Sequence, residues 1–103
     1  MYIPSQVRIG SVKYDVIVSS DILTLNGREC KGLIDYEFHT ININNSIQDR
    51  QGVELTLLHE LVHGIIKERS LSLEGSDEES IVEEISRGLH QVIKDNSVMF
   101  KED

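Results

Sequence analysis

Thr56-Leu57-Leu58-His59-Glu60-Leu61-Val62-His63-Gly64 sets two histidines four residues apart inside an apolar run, with a glutamate directly after the first. Residues four apart lie one turn from each other on the same helix face, so His59 and His63 can aim two imidazoles at one metal ion. Glu60 then falls beside the metal rather than among its ligands. There a carboxylate can take a proton from water and later deliver one to a leaving amine. H-E-x-x-H on a helix is a zinc-binding pattern, and its competitor is two solvated histidines with a surface glutamate. The surrounding residues favour the metal. Leu55, Leu58, Leu61, Val62, Ile65 and Ile66 keep the i, i+3, i+4 spacing of a core-facing stripe. The helix is predicted to start between Ile47 and Gln51 and to run to Lys67 or Arg69. At about 100° per residue both histidines fall on the flank of the stripe, where a catalytic zinc has protein on one side and an open position on the other. Gly64 is expected to leave room beside the second ligand.

Upstream, residues 6–18 alternate apolar and polar about Gly10-Ser11. Val7 and Ile9, then Val12, Tyr14 and Val16, predict a β-hairpin. Ser19 to Arg28 has no such pattern, although Ile22, Leu23 and Leu25 could cover a sheet edge and Asn26-Gly27 marks a turn. Leu33–Tyr36 and Thr40–Ile43 form a second strand pair, with Asn42 and Asn44 alternating against Ile41 and Ile43. Downstream, Ser70 to Gly75 connects to a second helix, roughly Asp77 to Lys94. Its stripe is Ile81, Val82, Ile85, Leu89, Val92 and Ile93, and Val98 to Asp103 reads as a loose tail. The two helices are expected to pack on each other and on the apolar face of the sheet. The fold class is therefore α+β, a small antiparallel or mixed β-sheet packed against two helices in one domain spanning residues 1–103.

Composition narrows the function. A formal net charge of −8 opposes nucleic acid and anionic membrane surfaces as partners, since both need a basic face. No apolar run reaches the length of a membrane span, and Met1-Tyr2-Ile3-Pro4 begins no signal peptide. Cys30 is the one cysteine, which excludes an internal disulfide and a cysteine-rich zinc site, and suits a reducing cytoplasm. Any metal must use histidine and carboxylate ligands.

A catalytic zinc normally has three protein ligands. A third histidine in the spacing H-E-x-x-H-x-x-G-x-x-H is out, because the positions after Gly64 hold Lys67 and Arg69. The second helix offers Glu78, Glu79, Glu83 and Glu84. Glu79 and Glu83 sit on the flank of their stripe, Glu78 falls near its middle, and Glu84 points away. Each survivor has a competing role. Ser76-Asp77-Glu78-Glu79 fits a capping box, and Glu83 can pair with Arg87 at i+4. Helix phase leaves both open.

Three parts of the chain resemble the small, phage-type gluzincin metallopeptidases, or minigluzincins, akin to the ImmA/IrrE-like peptidases. They are Gly32-Leu33-Ile34-Asp35-Tyr36, the stretch from Thr56 to Gly64, and the run from Glu79 to Asn96. In such proteins the second helix reads like E-x-x-V-x-x-L-(A/G)-x-x-L with a Q-V-L-x-D-N ending. Here it is Glu79-Ser80-Ile81-Val82-Glu83-Glu84-Ile85-Ser86-Arg87-Gly88-Leu89, then Gln91-Val92-Ile93-Lys94-Asp95-Asn96. It departs at Ser86-Arg87, where a small residue and a short polar one are usual. The resemblance implies a minimal zincin-like domain and a zinc-dependent metallopeptidase acting on a peptide or protein. It also implies that Glu79 is the third ligand beside His59 and His63, and that Glu60 is the general base. Two rival classes remain: a zincin-fold zinc-binding interaction protein without significant turnover, and a fold stabilised by zinc as a purely structural ion, which would call for a closed four-ligand site.

Four other residues invite a role. His90 lies about three turns beyond Glu79, too far for the same metal, and reads as a partly exposed helix histidine. His39 could reach the cleft from its strand connection. Tyr36 could offer its hydroxyl to an oxyanion or simply pack. Cys30 has no evident activating neighbour and reads as inert.

Overall fold

The alternation about Gly10-Ser11 produces an antiparallel hairpin in the computed structural model, which describes residues 1–101. Its strands are β1 (Gln6–Ile9) and β2 (Val12–Ser19), with Ile9 opposite Val12. The patternless stretch that follows supplies a separate small hairpin, β3 (Leu23–Leu25) and β4 (Arg28–Cys30). It turns at Asn26-Gly27, whose φ angles of 54° and 76° match a tight hairpin turn. β5 (Gly32–Asp35) and β6 (Thr40–Asn44) form the second predicted pair. β6 then lies parallel to β2, giving a mixed sheet in the order β1-β2-β6-β5 with β5 on an edge.

Two helices complete the α+β fold, α1 (Arg50–Glu68) and α2 (Glu78–Asp95). The Asp49 side chain caps α1 by accepting from the Gly52 amide at 2.8 Å. α1 buries two faces. Val53 and Leu57 join Ile9, Tyr14, Val16, Ile41 and Ile43 in the sheet-side core, while Val62 and Ile66 pack with Val82 of α2. The stripe expected from sequence is thus corrected: Val53 and Leu57, which it left out, face the sheet, its Val62 and Ile66 face α2, and its Ile65 is exposed. α1 approaches the sheet closely at Gly64. A Cβ there would sit 2.6 Å from Ile9 Cδ1 and 3.1 Å from Ile34 Cδ1, so the missing side chain makes room for the sheet and not for a ligand.

α2 corrects the sequence reading in two ways. It packs chiefly on α1 and not on the sheet. It is also turned about its axis, so that Val82, Ser86 and His90, four residues apart, form its buried row. Ile85, Leu89 and Val92 of the expected stripe remain 47%, 39% and 39% exposed. The cause is polar: the α1-facing row carries groups that need partners. The Ser86 hydroxyl donates to the Val82 carbonyl at 2.6 Å, and His90 Nε2 donates to Glu54 Oε1 at 2.8 Å. His90 is therefore buried and paired, not a partly exposed histidine. Beyond α2, Ser97–Phe100 forms a short 3-10 turn where a loose tail was expected, and Glu102 and Asp103 lie outside the described residues. Among the described residues no helix is long and apolar enough to cross a membrane.

Glu54 is the acidic member of the buried pair. Its second oxygen lies 3.4 Å from Arg50 Nε and 3.5 Å from the Met1 amino nitrogen. The hydrogen bond from His90 is the largest influence on it and, against the opposing effect of burial, holds the carboxyl below its usual range. His90→Leu removes the hydrogen-bond partner of one Glu54 oxygen while Arg50 and the Met1 amino group stay near the other, and should cost about 1–3 kcal/mol. A carboxyl depressed in the folded state stabilises fully above its unfolded pKa, near 4.5, and that contribution is lost as pH falls through the folded value. Urea unfolding at about pH 7 and about pH 3.5 should show a smaller acid-induced loss in His90→Leu than in the native chain.

Candidate metal centre

Between the two buried faces of α1 runs a strip that neither the sheet nor α2 covers completely, and His59 and His63 lie on it. Their rings stand edge to face, with centroids 4.9 Å apart. Opposite them, the first turns of α2 bring up three carboxylates. Glu79 reaches both rings, with Oε2 3.2 Å from His59 Nε2 and Oε1 2.7 Å from His63 Nε2. The other ring nitrogens are also held: His63 Nδ1 lies 2.7 Å from Glu78 Oε2, and His59 Nδ1 lies 3.2 Å from Glu83 Oε2.

This donor set fits a cation. A neutral imidazole has one N–H, and with the His63 Nδ1 proton donated to Glu78 its Nε2 lone pair turns towards the Glu79 carboxylate. Lone pairs facing lone pairs repel. A positive ion seated among them would remove that repulsion. One ligand atom from each of His59, His63 and Glu79 lies within 4.8 Å of the others, so the three could hold a metal ion. Carboxylates on the remote imidazole nitrogens are the usual means of fixing tautomer and ring angle in such sites.

The competing role for Glu79 is removed. Asp77, not Ser76, caps α2, its carboxylate accepting from the Glu79 amide and the Ser80 hydroxyl, both at 3.0 Å. The Glu79 side chain is 69% exposed and free to close the solvent side of the group. Glu83 does pair with Arg87 at 2.8 Å, as its spacing predicted, and serves His59 at the same time. Glu78, set aside because it fell in the middle of the apolar stripe, is corrected by the turn of α2, which carries it to His63.

Glu60 is buried beside the group. Burial pushes its carboxyl up, His59 and His63 oppose the rise, and Glu79 adds to it. It lies beneath β5, where its Cγ would be 3.5 Å from a Cβ on Gly32. That same Cβ would run into the Thr56 methyl, so glycine is what lets the edge strand descend onto α1 here. Glu60, His59 and Glu79 line a cleft of about 930 Å³, bounded by Gly32 and Leu33 of β5, the β3–β4 hairpin and α2.

The remaining candidates sit at the margin. Burial first, then Glu78, Glu60, Glu68 and Glu79, pushes Tyr36 up to about 12, so its hydroxyl keeps its proton, and Lys67 Nζ stands 5.6 Å from its ring centroid. His39 packs edge-on against Tyr14, with centroids 5.4 Å apart, and does not line the cleft. Cys30 does line it, half-buried, its thiol pushed up by burial and then by Glu60 and Glu29.

No family model, curated protein or solved structure matches the chain. Metal titration against a competing chelator separates the three carboxylates. Glu79→Gln should lose affinity by orders of magnitude, whereas Glu78→Gln and Glu83→Gln should each lose about 10- to 100-fold. A larger loss in Glu83→Gln than in Glu79→Gln would move the ligand one turn along α2.

Proposed function

We propose that the chain is a zinc-dependent metallopeptidase of the gluzincin type, hydrolysing a peptide bond with Glu60 as general base and then general acid. His59, His63 and Glu79 hold the zinc, and Glu78 and Glu83 orient the two imidazoles. The observation that carries the reading is the buried Glu60 carboxylate set beside three converging ligand groups at an open cleft. A purely structural zinc has a closed set of four ligands and no use for such a base.

When bound, zinc would supply Lewis acidity, polarising a carbonyl and making water easier to deprotonate. Glu60 does the rest from the protein side. Buried beside the ligand group and lining the open cleft, its carboxylate is placed to accept a proton from water and return it to the leaving nitrogen. The free edge of β5 offers main-chain groups to an extended peptide, and β5 lies directly over Glu60. The resemblance of the two helices to the minigluzincins points the same way. A lone cysteine suits work in a reducing cytoplasm.

Protein purified without chelator should carry about one zinc per chain, and the double variant His59→Ala/His63→Ala should carry none. Unchanged zinc in that variant would sink the reading. Glu60→Gln keeps size and hydrogen bonding but removes the base. It should retain near-normal zinc while cleavage of a peptide library falls at least about a hundredfold. A wild-type chain that binds zinc and cleaves nothing would instead be a zinc-binding interaction module.

A further inference from the structure

The depth at which Glu60 lies beneath β5 has a support of its own. The strand descends there because Gly32 lacks a side chain, and the residue just before it, Lys31, is held from the connection between β6 and α1. Gln48 in that connection reaches three elements at once. Its Nε2 donates to the Asn44 carbonyl at 2.7 Å and to the Lys31 carbonyl at 3.4 Å, and its Oε1 accepts from the Thr56 hydroxyl at 2.8 Å. Asn44 ends β6, Lys31 leads into β5, and Thr56 stands one turn before Glu60 on α1.

The side chain has a prepared place. A Cβ on Gly52 would sit 2.9 Å from Gln48 Cβ and 3.0 Å from its Oε1, so a bare first turn of α1 makes room for it. Asn44 bends the chain towards it, its Oδ1 accepting from the Ser46 amide at 2.9 Å and the Ser46 hydroxyl at 2.6 Å. Helix capping does not explain the arrangement, because Asp49 is the N-cap of α1 and the Gln48 amide group donates back to the sheet end. Gln48 lines the cleft, yet its amide nitrogen and its carbonyl oxygen are both engaged by the protein.

What it holds is the edge that a peptide would use. The Asn44 amide donates to the Lys31 carbonyl at 2.9 Å, which makes Gly32 and Ile43 a pair without mutual hydrogen bonds. The N–H and C=O of Gly32, and two residues on those of Ile34, therefore point away from β6 to the open side of the strand. An extended peptide added there would hang from Gly32, over Glu60. Gln48 and Thr56 thus form a strut between the main chain beside that hanging point and the helix that carries the base.

We propose that Gln48 is a positioning residue: through Thr56 it fixes the height of the Gly32 edge over Glu60, and so the alignment of a bound peptide with that carboxylate. The kinetic consequence rests on the peptidase reading above, while the strut itself can be read without turnover.

Two variants test it. Gln48→Met keeps the length of the side chain and removes all three hydrogen bonds. Thr56→Val cuts only the α1 leg, keeps the methyl that faces Gly32, and carries the test if Gln48→Met fails to fold. By NMR, hydrogen exchange at the Asn44 amide should quicken about 3- to 10-fold in either variant, with the β1–β2 hairpin unchanged. Zinc affinity should stay put, since every ligand candidate lies on α1 or α2. Against a peptide that the wild-type chain cleaves, kcat should fall about 10- to 100-fold with KM held within about threefold, the scale of a misplacement of about 1 Å. Both variants sever one strut, so the double variant should lose no more than Gln48→Met alone. A lower melting temperature with kcat intact, additive losses, or unchanged exchange at Asn44 each overturns the proposal. A wild-type chain that binds zinc and cleaves nothing sinks the peptidase reading instead, and the exchange measurement then decides by itself whether Gln48 holds the edge.

Discussion

The distance between α1 and the sheet governs everything placed around the candidate centre. It is short because side chains are missing at two crossing points, Gly64 against Ile9 and Ile34, and Gly32 against Thr56. At the first, the helix settles onto the sheet-side core. At the second, the edge strand descends onto the helix directly over Glu60. Burial of that carboxylate, its raised pKa and its place beneath β5 all follow from one close approach. A larger residue at either glycine would not simply crowd the core. It would lift the strand or the helix that defines the depth of the cleft.

α2 answers a different demand. Its sequence is amphipathic in a way that should turn Ile81, Ile85, Leu89 and Val92 inward, and a fully buried aliphatic side chain is worth about 1.5–3 kcal/mol. The helix instead turns Ser86, His90 and three glutamates towards α1 and leaves Ile85, Leu89 and Val92 half exposed. Hydrogen bonds and charge placement have overridden part of the hydrophobic gain. Local and global preferences tend to part company where a chain is shaped for chemistry, and here they part at the helix that supplies Glu79.

Much of this could be read beforehand, for identifiable reasons. Long regular patterns were legible: the hairpin about Gly10-Ser11, the β5–β6 pair and both helices stand within a few residues of where periodicity puts them. His59, His63 and Glu79 do come together. Strands of three residues were not legible, because β3 and β4 are too short for alternation to register. The turn of α2 was hidden as well, since a hydrophobic stripe reports where apolar residues are and not what polar groups require. One signal was available and unused. Glu54 occupies a core position on α1, and a buried carboxylate demands a partner, which His90 in the Val82–Ser86 row supplies. The cap fell to Asp77 over Ser76 by one residue, which lies within the usual uncertainty of helix ends.

The series arrangement of sheet, α1 and α2 has a consequence for how the fold opens. α2 is held to α1 by a small apolar contact around Val62, Ile66 and Val82 and by the Glu54–His90 pair. Every ligand candidate lies on these two helices, and none is on the sheet. A bound ion would therefore act as a clip on a helical hairpin, closing a short loop at little entropic cost. Its loss would lower the free energy of local opening for α2 alone, so amide exchange would quicken there first while the β2–β6 ladder beneath α1 kept its protection.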